Sequence, residues 1–176
     1  MLILREVLRW KATEVAELLE TTVQSVNSAL QRARATISQH EMNDEGWHEP
    51  LPPEEQELLD RYVRAFESYD MTALTSLLHD DALWNMPPYE LWLRTHDDIV
   101  DWCLGTGIGC KGSRLVPVTA NGMPAFGQYK PAPGGGYEPW SLQVLERSGD
   151  RLSGITFFLD TEHLFPLWGL EPHLDA

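Results

Sequence analysis

Three apolar stripes at helical spacing open the chain. Ile3, Val7 and Trp10 recur at i, i+4 and i+7. Ala12, Val15, Ala16 and Leu19 make a second face, and Val23, Val26, Leu30, Ala33 and Ile37 a third, with gaps alternating between three and four residues. Such spacing keeps apolar side chains on one side of a helix of about 3.6 residues per turn, so each stripe predicts a short amphipathic helix. Helical periodicity returns at Leu58, Leu59, Tyr62, Val63 and Phe66, and again at Leu74, Leu77 and Leu78, where Asp70 is placed to cap the helix start. "ALWNMPP" predicts a strand stopped by prolines. "THDDIVDWCLG" predicts a short helix opened by Thr95 and closed by Gly105.

From Ser113 onward the apolar period shifts towards two. "SRLVPVTA", "MPAFGQYK", "PWSLQVLER" and "RLSGITFFL" predict strands separated by "NG", "PAPGGGYE" and "SGD". Asn121-Gly122 is the strongest hairpin signature, because both positions of that turn favour positive φ. Pro117 cannot donate to a ladder and predicts an edge strand or a bulge. Helices first and an antiparallel meander afterwards predict an α+β domain with its sheet curled against the helices.

Between the two regions, "QHEMNDEGWHEPLPP" has acids, one glycine and three prolines but no helical repeat, which is linker composition. The organisation expected is therefore an all-α segment over 1–38, a linker over 39–53 and an α+β domain over 54–176.

Charge sharpens this division. The chain of 176 residues has a formal net charge of −14, yet residues 1–38 hold five basic and four acidic residues. The remainder holds eight basic and 23 acidic residues, so nearly all the negative charge lies beyond the first segment. Cys103 and Cys110 are too few for a disulfide framework and are expected as reduced thiols. Six histidines show no HxxxH pairing and the cysteines no CxxC, so no metal site and no cofactor are expected. With neither a long apolar run nor a signal-peptide pattern, no membrane association is expected and a cytoplasmic location is.

The second and third stripes, joined by "ETT", have the lengths of a helix-turn-helix. With Val23, Val26, Leu30 and Ala33 inward, the opposite face presents Gln24, Ser28, Gln31 and Arg32, flanked by Ser25 and Asn27. Amides can pair with adenine, guanidinium with guanine and hydroxyls with either. No acid occurs from Thr21 to Ile37. A plain three-helix packing unit with a polar outer face is the alternative. Glu20 falls where such turns usually hold glycine, and a left-handed backbone there would cost about 1 kcal/mol.

"LILREVLRWKATEVAELLETTVQSVNSALQRARA" resembles the second half of region four of extracytoplasmic-function (ECF) sigma factors, and "VNSALQRARA" resembles the subgroup with an extra C-terminal domain. The resemblance implies transcription initiation, with this helix reading the minus-35 promoter element through Asn27, Ser28, Gln31 and Arg32, to which the face opposite the stripe adds Gln24 as a base contact. It implies phosphate contacts from Lys11, Thr22, Ser25 and Arg34, and RNA polymerase core as partner of the full-length protein. The chain begins inside region four, without the region two of family members. The resemblance therefore implies a fragment that does not initiate transcription alone.

"MPPYELWLR", "GSRLVPVTANGMPAFGQY", "PWSLQVLE" and "SGITFFLDTEHLFPLWGL" resemble the SnoaL-like domain of that subgroup, of the nuclear-transport-factor-two-like (NTF2-like) fold. This implies a cone-shaped domain with a curved antiparallel sheet, and a regulatory role in which the domain docks on the sigma regions. Trp84, Met86, Tyr89, Trp92, Gln128, Asp160 and His163 are the candidate pocket residues for a small-molecule ligand. The plainer reading is that the aromatics fill the core and Asp160 caps the last helix. Asp160 with His163 is the best acid–base pair for a cyclase- or hydrolase-like activity, but no catalytic residue is assigned, since fold alone does not imply chemistry. Asp97, Asp98 and Asp101 read as a solvated helix start.

Overall fold

The computed structural model describes residues 2–39 and 51–175. The chain divides into two compact units, Met1–Glu49 and Pro50–Ala176. Most of the expected linker, residues 40–50, lies outside the described residues.

In the first unit, a π-type turn spans Ile3–Val7 and α1 spans Ala12–Leu18. The first stripe does not continue as a helix to Trp10, because the backbone reverses at Arg9 with φ +59°. Lys11 opens α1 in an extended conformation, and its N–H donates to Glu14 Oε2 at 2.6 Å. Glu20 adopts φ +47°, and Thr21 N–H returns to the Ala16 carbonyl at 2.9 Å. Helix α2, Val23–Gln39, then begins. Thr22 Oγ1 accepts the Ser25 N–H at 3.1 Å and so supplies a partner to one free amide of the first turn. Val15, Ala16 and Val26 form the small core, with Leu4 and Ala12 against it. Leu30 is also buried and Ala33 half-buried, whereas Val23 is exposed: one short helix and a turn cannot cover the whole stripe.

In the second unit, α3 spans Pro53–Glu67 and buries Leu58, Leu59, Tyr62, Ala65 and Phe66. Helix α4, Met71–Ser76, is capped by Asp70, whose carboxylate accepts the Ala73 N–H at 2.9 Å. Strand β1 spans Leu78–Asn85, β2 Trp92–Leu93, and α5 His96–Leu104, the last capped by Thr95. Strands β3 (Arg114–Ala120), β4 (Met123–Pro131), β5 (Tyr137–Ser148) and β6 (Arg151–Phe158) follow, then α6 (Thr161–Leu164). Asn121 and Gly122 both have positive φ between β3 and β4, and the Pro117 strand is an edge.

The sheet corrects the expected cone-shaped, curved antiparallel domain. Its six strands run β2-β1-β6-β5-β4-β3, and β1 pairs in parallel with β6. The sheet is mixed and open. Closure would require its terminal strands to meet, but one is only two residues long and the other carries Pro117. The parallel pair arises because the chain runs from β1 through β2, α5 and the three strands β3, β4 and β5 before β6 returns beside it.

Alternation along β5 places Gln143 and Leu145 towards the helices, and Leu142 and Val144 towards the other face. The helix-side core includes Tyr62, Leu74, Trp84, Ile99, Leu145 and Ile155. The opposite core sets Tyr129, Leu142 and Val144 beneath Phe165 and Leu170 of the C-terminal segment.

Candidate functional site

Gln24, Ser25, Asn27, Ser28, Gln31 and Arg32 are all exposed. At about 100° per residue, Gln24, Ser28 and Gln31 point away from the buried side of Val26 and Leu30. The face therefore remains outward as the stripe implies. Arg32 has no carboxylate partner among the described residues, although its carbonyl accepts Thr36 Oγ1 at 3.1 Å.

The candidate phosphate contacts differ in their present engagement. Lys11 is exposed. Thr22 and Ser25 stand at the start of α2, where the Thr22 hydroxyl donates to Ser25 Oγ at 2.9 Å. Arg34 is paired with Glu6 at 2.5 Å. A phosphate reaching Arg34 would exchange with that carboxylate, at little cost for so exposed a pair.

In the second unit, Trp84, Met86 and Gln128 are buried around one recess. The remaining candidates do not join them. Tyr89 and Trp92 are 65% and 59% exposed, Trp92 because it lies on the two-residue edge strand opposite Asn85. His163 Nδ1 meets Asp160 Oδ1 at 2.7 Å, with both side chains exposed. Asp160 occupies the N-cap position of α6 but makes no capping bond with its side chain. That contact raises the His163 pKa above its ordinary value, first through the hydrogen bond and then through the charge of Asp160.

Several residues around the recess were not singled out by the sequence reading. Gln128 is the centre of a buried network. Its Oε1 accepts from Ser141 Oγ at 2.8 Å and Gln143 Nε2 at 2.9 Å, and its Nε2 donates to Ser113 Oγ at 3.0 Å. Tyr62 Oη donates to Gln143 Oε1 at 2.6 Å, tying α3 to the sheet. Ser141 and Gln143, polar at every second position of an apolar strand, were the trace of this network in the sequence. Cys103 and Cys110 are both buried and free. Burial pushes the Cys103 thiol up to about 12, with Cys110 adding to the shift, and burial raises Cys110 too. Among the described residues no group of three or more His, Cys, Asp or Glu is gathered as a metal site, and no helix is long and apolar enough to cross a membrane.

Comparison with known proteins joins the two units. Residues 1–37 match the family model "Sigma-70, region 4". The ECF RNA polymerase sigma factor SigG of Mycobacterium tuberculosis is 40% identical over 179 aligned residues, covering 99% of this chain and 47% of that protein. The chain thus spans about half the length of the curated relatives it matches. An NTF2-like protein from Burkholderia xenovorans superposes with a TM-score of 0.50 at 14% identity, over 60% of this chain and 82% of that one. A candidate SnoaL-like polyketide cyclase from Shewanella putrefaciens gives 0.50 at 14% identity, over 68% and 88%. At such identity these two speak for the fold alone. Together, the observations define a fusion of a sigma region-four helix-turn-helix segment with an NTF2/SnoaL-like domain. Over nearly its whole length the chain is similar in sequence to an ECF sigma factor, and its first 37 residues match region four of that class. Both curated relatives it matches are sigma factors.

Proposed function

We propose that α2 reads the minus-35 element of a promoter on behalf of RNA polymerase, and that the second unit regulates this reading. The exposed, acid-free outer face of α2 carries the proposal. Gln24, Asn27, Ser28, Gln31 and Arg32 address base edges, and Lys11, Thr22, Ser25 and Arg34 hold phosphates. From Gln24 to Gln31 the helix rises about 10 Å, the length of about three stacked base pairs. The first amides of α2 add a place for a phosphate oxygen.

The functional division follows the boundaries 1–38, 39–53 and 54–176. A strongly acidic domain tethered beside the reader lowers its non-specific affinity for phosphate and competes for the same basic side chains, through docking on the sigma regions. The protein acts in the cytoplasm, where promoter and polymerase are. Selection from a randomised duplex pool tests the reading. One short sequence should be enriched by this chain, and indifferent retention of all duplexes would contradict base reading.

A second reading is favoured by the buried recess of the second unit: that domain senses a small molecule, whose binding sets the docking.

A further inference from the structure

Two adjoining recesses share the walls formed by Trp84, Met86, Trp102 and Phe157. Trp84 is 2% exposed, and its indole Nε1 has no hydrogen-bond partner. A buried donor left unpaired opposes folding, and native proteins seldom retain one without a use. Two other polar groups of the walls, Gln128 and Tyr69, are engaged. Gln128 is held by Ser113, Ser141 and Gln143, while the one Tyr69 Oη proton is shared between the carbonyls of Cys103 and Gly107, at 2.8 and 2.9 Å.

The chemistry of the walls narrows what can enter. Phe66, Tyr69, Trp84, Trp102, Trp140 and Phe157 supply aromatic surface, and no Asp, Glu, Lys, Arg or His lines either recess. Lys130 Nζ lies 4.2 Å from the Trp140 ring centroid, but it is paired with Glu138 at 3.2 Å, so an ion in the recess would lose its hydration without a free counter-charge. Each recess has about 10 Å³ of free volume, room for one water at most. A larger occupant must displace side chains, and Met71 and Met86 are in the walls, with the unbranched thioether stems that repack most readily.

We propose that this recess of the second unit binds a small, neutral, aromatic molecule bearing one hydrogen-bond acceptor, which Trp84 Nε1 engages as Met71 and Met86 give way. The inference rests on the sensing reading and narrows it to a ligand class. Anionic metabolites and nucleotides are outside that class. The walls supply no carboxylate, imidazole or amine, and burial keeps the Cys103 and Cys110 thiols protonated, so this is a site for binding and release.

The test uses 1-tetralone, a neutral bicyclic ketone, with tetralin, the same skeleton without the carbonyl. Calorimetric titration of the whole chain should show tetralone binding more tightly, by about fivefold. Trp84→Phe keeps the aromatic ring and removes the donor, so it should abolish that preference while tetralin binding persists. No binding of tetralone by the wild-type chain overturns the proposal, as does an unchanged preference in Trp84→Phe. Should that variant fail to fold, the wild-type protein still decides. Its Trp84 indole ¹⁵N–¹H resonance should move downfield with tetralone and far less with tetralin, and an unmoved resonance overturns the proposal. DNA selectivity of the Arg32→Ala variant, measured without the ketone, tests promoter reading separately.

Discussion

At Glu20 the chain turns between α1 and α2 with φ +47°, a conformation that crowds any Cβ. Glu20→Gly removes that crowding, partly offset by the entropy glycine loses on folding. The first unit should gain up to about 1 kcal/mol, read as slower hydrogen exchange of the α1 and α2 amides. Faster exchange would mean that the carboxylate contributes more than the turn costs. Burial holds Cys103 and Cys110 as neutral thiols, so neither should react with a disulfide reagent at pH 8 until the second unit unfolds. Rapid labelling of the native protein would contradict their placement. At the surface, Asp160 holds His163 in its charged form to higher pH than usual. A folded-state pKa above the unfolded one stabilises below the unfolded value, and that contribution disappears as pH rises through the folded pKa. Asp160→Asn should lower the His163 midpoint in an NMR titration.

Among the elements, the beginning of α2 and the α3–β5 junction depend on named hydrogen bonds. Thr22→Ala removes the acceptor for Ser25 N–H and should cost about 1 kcal/mol, visible as faster exchange in the first turn of α2 alone. Tyr62→Phe leaves Gln143 Oε1 buried without its donor and should cost the second unit about 1–3 kcal/mol in urea unfolding. A neutral outcome would show that water replaces the hydroxyl. Elements set by neighbouring residues were legible in the sequence: Asp70 and Thr95 as caps, the Asn121-Gly122 turn, the helical stripes of α2 and α3. The parallel β1–β6 pair was not, because it joins strands separated by most of the domain, and local period two does not encode direction. For the same reason Trp84 and Trp92 looked alike in the sequence. Strand order buries one and leaves the other on an edge of two residues. The buried glutamine network was missed because inward polar residues look like outward ones until the partner strand is known.

For the molecule as a whole, the uneven charge is the feature that links the units. Residues 1–38 have almost no net charge, while the rest of the chain carries 23 acids against eight bases. Repulsion of phosphate by the acidic part acts through space and is screened by salt, whereas base-edge hydrogen bonds are short-ranged. Affinity and selectivity should therefore separate experimentally. Lys11→Ala should weaken binding to all duplexes alike and reduce the salt slope by about one. Arg32→Ala should instead change which duplex is preferred. The most direct measurement is a thermodynamic cycle that combines Arg32→Ala with single base-pair substitutions along the duplex, read by fluorescence anisotropy at one fixed salt concentration. Our account predicts a coupling of about 1–3 kcal/mol at one or two adjacent base pairs and none elsewhere. An equal loss of affinity for every duplex, as for Lys11→Ala, would contradict it.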